Sequence, residues 1–179
     1  VTIPTEQLYT IQNNEKQNGL YGEYFNNPTL EGTPALTRID PVLDFRWTLF
    51  SPDQQKINYD WYSARWTGKL ISPRSGTFKM GIKGDDGYRL YINNVLVLDN
   101  WKKQTVQSLT VDYNFLKDVE CDIKVEFYET TGNVWFNLIW NVDVEQHWQT
   151  EINEAVNAAK QSDAAIVVMG IEEGEFKDR

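Results

Sequence analysis

Cysteine and histidine are almost missing from this chain, with one of each in 179 residues. Cys121 therefore cannot close an internal disulfide, and Cys121 with His147 cannot build a zinc cluster of the usual four ligands. No Ser-His-Asp set can be argued, and no glycine-rich phosphate cradle or basic stripe is present. Basic residues are also scarce: 17 Lys and Arg face 26 Asp and Glu, for a formal charge of −9 and a pI of about 4.6. That balance repels a nucleic-acid backbone or an anionic membrane surface and leaves neutral polar ligands such as sugars open. No apolar run approaches the roughly 20 residues needed to cross a bilayer, and the first residues lack a basic segment followed by an apolar one.

What the chain does have is aromatic mass, with seven Trp and nine Tyr, in segments that alternate apolar and polar residues. Period-two alternation marks strands with one buried face. Phe78, Met80 and Ile82 alternate with Thr77, Lys79 and Gly81, and Tyr88, Leu90 and Ile92 with Arg89, Tyr91 and Asn93. Between these runs, Gly84 and Gly87 bracket Asp85 and Asp86, which reads as a tight acidic turn reversing the chain. Two adjacent like charges call for a cation, a basic partner or open water. Further strands are expected at 19–25, around Val42 to Trp47, at 61–71, 95–99, 106–113, 121–127 and 134–140, with a loop through Gly32 and Pro34. Residues 1–18 are polar and aperiodic and read as an incoming linker or an edge segment. Cys121 shares parity with Ile123, Val125 and Phe127 and belongs to a buried face as a small hydrophobe. Short strands at this spacing predict a mainly β fold, an antiparallel β-barrel or sandwich over residues 19–142, followed by a short αβ fragment over 143–179.

In that fragment, Ile152, Ala155, Val156 and Ala159 fall at helical spacing. The run Ala164-Ala165-Ile166-Val167-Val168-Met169-Gly170 lacks alternation, as does a strand buried on both faces of a parallel sheet. It has no partner strands within this sequence. The expectation is that this stretch belongs to a longer polypeptide whose sheet would hide the strand.

The order Gly19-Leu20-Tyr21-Gly22-Glu23-Tyr24-Phe25, Trp61-Tyr62-Ser63-Ala64-Arg65-Trp66-Thr67-Gly68, Gly84-Asp85-Asp86-Gly87-Tyr88-Arg89-Leu90-Tyr91-Ile92-Asn93 and Val125-Glu126-Phe127-Tyr128, closing on Leu138-Ile139-Trp140, resembles the protective-antigen domain family. That family is a β module of toxins, yeast adhesins and glycosidases. The tail Ser162 to Gly170 with Glu173-Gly174-Glu175-Phe176-Lys177-Asp178-Arg179 resembles the C-terminal α/β domain of the family-three glycoside hydrolases, the β-glucosidase family. In a subset of those enzymes a protective-antigen domain interrupts that α/β domain. The second resemblance implies that Glu175 is a general acid/base in a retaining mechanism, whose nucleophilic Asp would lie on a barrel domain outside this chain. Phe176 stands where that pattern often has Gly. The fragment alone is expected to be inactive.

For Asp85 and Asp86 two readings stand. One is a turn whose carboxylates cap backbone N–H groups; the other, implied by the adhesin members, is a Ca²⁺ site completed by Asn133 and loop carbonyls. Trp101 in a loop and Trp135, opposite in parity to core-facing Trp140, are the candidate contacts for sugar or for a neighbouring catalytic domain. The implied function is an accessory domain of a periplasmic or extracellular β-glucosidase-like enzyme, shaping its sugar cleft toward an oligosaccharide or β-glucoside. The alternatives are a Ca²⁺-dependent adhesin-like module and a spacer that binds nothing.

Overall fold

The computed structural model describes residues 1–143, 148–164 and 166. Residues Val1–Val142 form one compact unit and Asp143–Arg179 a second. The first is antiparallel β throughout its named strands. After a single 3-10 turn at Thr5–Gln7, the strands are β1 (Leu8–Gln12), β2 (Glu15–Asn18), β3 (Leu20–Phe25), β4 (Leu36–Asp40), β5 (Asp44–Trp47), β6 (Tyr62–Ile71), β7 (Gly76–Gly84), β8 (Gly87–Ile92), β9 (Val95–Asn100), β10 (Gln107–Phe115), β11 (Glu120–Glu129) and β12 (Val134–Trp140). The larger sheet runs β2-β1-β6-β11-β8-β9, with β3 also on β6 and β4 on β3, and the smaller runs β10-β7-β12-β5.

Alternating residues of the two sheets meet in an aromatic core. Trp66 on β6 stacks against Phe136 on β12, with ring centroids 5.2 Å apart, and against Phe45 at 5.7 Å; Phe127 lies 4.8 Å from Phe136. Burial of such rings is the main source of stability in a sandwich of this size. Trp140 and Cys121 are both buried, as their parity requires.

Residues 1–18 are an edge of the sheet rather than a linker. Ile3 and Leu8 have no exposed surface, and Tyr9 pairs with Lys69 of β6. The reading of 84–87 as a hairpin turn is also corrected: β7 pairs with β10 and β12, whereas β8 pairs with β9 and β11. Asp85 and Asp86 thus carry the chain from one sheet to the other. The flanking glycines answer to close packing, since neither has a positive φ. A Cβ on Gly87 would stand 2.0 Å from Cε1 of Tyr128. The β8–β9 link does use left-handed backbone, at Asn93 (φ 49°) and Asn94 (φ 63°), as an Asn-Asn hairpin allows.

In the second unit, α1 (Trp148–Lys160) covers the helical spacing, with Ile152 and Val156 exposed. His147, Glu175 and most of the strand expected at 164–170 lie outside the described residues.

Candidate functional site

The Asp85–Asp86 crossing is where three loops converge. Both side chains are buried, each 4% exposed, and the peptide between them is cis. Their carboxylates do not face open water. Asp86 accepts the N–H of Gln104 (3.1 Å) at Oδ1, and the N–H (3.1 Å) and hydroxyl (2.5 Å) of Thr130 at Oδ2. Asp85 accepts the N–H of Trp135 at 2.7 Å, while its own N–H donates to the Trp135 carbonyl at 3.1 Å. Donation from N–H groups to an ionised acceptor is the stronger class of hydrogen bond, so the crossing is tied firmly to the 100–106 and 130–135 segments. A third segment joins them: the Trp61 N–H donates to the Thr130 carbonyl at 3.0 Å, and the Gly132 N–H to Asp60 at 3.3 Å.

Two more carboxylates enter the same field. Glu129, 1% exposed, follows the inward parity of β11. Burial, then the charges of Asp86, Asp85 and Asp60, push its carboxyl up to about 8, with the Lys103 charge opposing them. Burial and the neighbouring acids likewise raise the Tyr62 phenol, whose buried hydroxyl has no hydrogen-bond partner among the described residues. Among the same residues Gln104 Oε1 is a buried acceptor and Asn100 Nδ2 a buried donor without a partner, although the Gln104 amide nitrogen donates to the Asp86 carbonyl at 3.2 Å. Donor and acceptor capacity are thus both left over beside the crossing. Among the described residues no group of three His, Cys, Asp or Glu is placed to hold a metal ion. A cation held here would draw on amide and carbonyl oxygens as well as Asp85 and Asp86.

Asn133 is exposed, on the loop just before β12 and two residues before Trp135. The two expected sugar-facing indoles are partly covered. Trp135 lies between the guanidinium of Arg46, 3.7 Å from its ring, and the Lys83 ammonium at 4.4 Å. Trp101 packs on Tyr128 at 4.8 Å and carries the Arg89 guanidinium at 4.5 Å. Trp61, read as the first residue of a strand, instead precedes β6 with a φ of 59° and is 54% exposed as a residue. Alternation could not separate it from a strand end. Glu129 was missed because its parity predicts core, and Asp60 because nothing local marks it. A groove of about 380 Å³ on the large sheet, lined by Thr10, Thr67, Lys69 and Asp122, contains none of these residues.

Comparison with known proteins fits this architecture. The chain matches the PA14 domain over residues 16–153. It is 35% identical over 145 residues to the anti-sigma-I factor RsgI3 of Acetivibrio thermocellus, covering 81% of this chain and 22% of that protein. A solved anti-sigma factor domain-containing protein from Clostridium clariflavum is 36% identical with a TM-score of 0.64, over 70% of this chain and 42% of its own. The β-glucosidase of Kluyveromyces marxianus, solved with glucose, shares the fold at 16% identity and a TM-score of 0.58, over 89% of this chain and 20% of its own. This chain thus spans less than half of each of these relatives. With the family matched across most of its length and a two-sheet sandwich joined by a buried Asp-Asp crossing, the chain belongs to the PA14 domain family.

Proposed function

We propose that this PA14 domain is a carbohydrate-associated module of a β-glucosidase-like glycoside hydrolase, carried within the enzyme's α/β domain, where it shapes the sugar cleft and its preference for substrate length. The observation that carries the reading is that the segment leading into β1 runs beside β12, the last strand of the β unit. The Ile3 N–H donates to the Leu138 carbonyl at 3.0 Å and the Trp140 N–H to the Val1 carbonyl at 2.9 Å. A unit whose first and last segments lie together can sit in a loop of a host domain without disturbing it. The tail pattern ending Glu173-Gly174-Glu175-Phe176-Lys177-Asp178-Arg179 supports the same host and gives Glu175 the role of acid/base.

On this reading the module works in the periplasm or outside the cell, on an oligosaccharide or β-glucoside held between it and the catalytic domains of the same polypeptide. Asp85, Asp86 and Asn133 would hold Ca²⁺, which when bound offers a hard Lewis-acidic contact for sugar hydroxyls. The chain's own part is to keep both carboxylates oriented through Thr130, Gln104 and Trp135.

Replacing Glu175 by Gln in the full-length protein tests the host. Cleavage of an aryl β-glucoside should fall by about 10² to 10⁴ and be partly restored by azide. A second reading, favoured by the 35–37% identity to anti-sigma factor proteins, is a saccharide-sensing surface domain. There the Glu175 variant would change no hydrolytic rate, while the intact protein would still bind sugar.

A further inference from the structure

We propose that the outer edge of β10 is a self-association surface, at which two copies of this chain pair antiparallel about Val111 and join their small sheets into one. The claim stands apart from the carbohydrate reading. A strand that ends a sheet leaves a row of backbone N–H and C=O groups open to another chain, and soluble proteins blunt such edges by shortness, charge, proline or a bulge. Four edges of this molecule are blunted in that way. In the large sheet β2 is four polar residues, Glu15 and Lys16 among them, β4 carries Arg38 and Asp40, and β9 breaks register against β8 between Leu90 and Tyr91. In the small sheet β5 is four residues long and carries Asp44 and Arg46.

β10 has none of these devices. It ends the small sheet and, among the described residues, pairs with β7 alone, in unbroken register from Gln107↔Gly84 to Phe115↔Gly76. It contains no proline, and Asp112 is its one charge. Leu109 is 37% exposed although it shares parity with buried Phe115, and Val111 and Tyr113, on the same face, are half-buried against the core.

The sequence of the strand selects its occupant. Directly opposed residues of an antiparallel pair lie on the same face, so the row Leu109, Val111, Tyr113 and Phe115 meets an apolar row only in a register that keeps this parity. Centred on Val111, all of β10 is paired. Leu109 then lies opposite Tyr113 of the second copy, Val111 opposite its own counterpart, and Thr110 opposite Asp112, whose carboxylate accepts the threonine hydroxyl on both sides of the two-fold axis. Centring on Asp112 would set like charges face to face, and a slip of one residue would lay the apolar row on the polar one. Within the chain Thr110 faces Gly81, so the second copy supplies the cross-strand side chain that Thr110 lacks. The charge of −9 on each chain opposes approach, and one strand pair buries little area, so the dimer belongs to the weak, transient class.

The test is sedimentation of the intact chain between about 1 and 200 µM in about 0.15 M salt, which screens charges beyond roughly 8 Å, with amide hydrogen exchange read at both ends of the range. Wild type should pass from monomer to dimer, and protection should rise in Gln107–Phe115. Thr110→Asp places a carboxylate opposite Asp112 twice in each dimer and should weaken association at least about tenfold, whereas Thr110→Lys places an opposite charge there and should tighten it. Melting curves confirm that both variants are folded, and a tighter discrete dimer cannot come from loss of fold. A wild-type chain that stays monomeric throughout overturns the proposal, as does a dimer that leaves exchange in β10 unchanged. If the two substitutions shift the dimer constant in the same direction, or neither shifts it, the register about Val111 is wrong and the proposal falls with it.

Discussion

On the outer face of the large sheet, Glu126 is 6% exposed yet surrounded by cations, whereas at the sheet crossing Glu129, three residues further along the same strand, is 1% exposed among other acids. The first belongs to a ladder that runs across five strands. Glu23 faces Arg65 at 3.9 Å, Arg65 faces Glu126 at 3.2 Å, Glu126 faces Arg89 at 4.0 Å, and Arg89 faces Asp99 at 3.1 Å. The backbone register sets this alternation, with Glu23↔Arg65, Arg65↔Glu126, Glu126↔Arg89 and Arg89↔Asp99 directly opposite. The second cluster relies on backbone N–H groups. One arrangement is neutralised by cations on the same face, and the other is held by backbone N–H and hydroxyl donors. A buried acid is a structural part when its counter-charges are built in, and a site when they are not.

The largest effect should follow from removing the acid that binds the loops together. Asp86→Ala deletes three hydrogen bonds and leaves the buried Thr130 N–H and hydroxyl unpaired. The expected loss is about 3 kcal/mol, or roughly 10 °C in the melting temperature by calorimetry. A loss under about 1 kcal/mol would mean that relief of repulsion outweighs those bonds, and the contrast between the clusters would have to be redrawn.

Next in size is the pH response of Glu129. Its folded carboxyl is raised from 4.5 to about 8, so in that interval the folded state binds more protons than the unfolded one. Stability is then fully present below the unfolded value and is lost as pH rises through the folded one. In a chelator, the melting temperature should fall by several degrees between about pH 5 and pH 8 in the wild type, and fall less in Glu129→Gln. Adding about 5 mM Ca²⁺ should flatten the wild-type slope if the cation settles among these acids. An unchanged slope with no calorimetric heat would remove the metal from the proposal.

The contrast also explains which features the sequence made visible. Strands whose inner face is apolar, such as β11 and β12, announce themselves through alternation, and the two-sheet class followed from them. β4 is not marked by alternation because its buried end is polar: Asp40 is 4% exposed, holding the Tyr24 hydroxyl at 2.5 Å, the Trp66 indole N–H at 2.8 Å and Arg38 at 2.7 Å. The adjacent carboxylates of Asp85 and Asp86 stood out locally. Their partition between two sheets did not, because pairing partners about thirty to sixty residues away decide it. Trp135 was correctly marked as outward by parity, but the Arg46 and Lys83 that cover it come from neighbouring strands.

The smallest effect should come from the ladder. Glu126→Gln removes a charge facing Arg65, Arg89 and Lys124 but keeps an acceptor for the Tyr91 hydroxyl, which now donates to it at 3.1 Å. The two arginines are about a third exposed, 29% and 31%, so water screens them when the carboxylate is gone and the loss should be about 1 kcal/mol. Because solvent already competes for those arginines, about 0.5 M salt should shrink the difference between wild type and Glu126→Gln by screening the intact pairs. The same salt should leave most of the Asp86→Ala loss in place, since that loss comes from short hydrogen bonds out of reach of ions. Equal salt sensitivity in the two variants would mean that both clusters are governed by long-range charge, and the distinction between a self-neutralised ladder and a cluster held by N–H donors would fail.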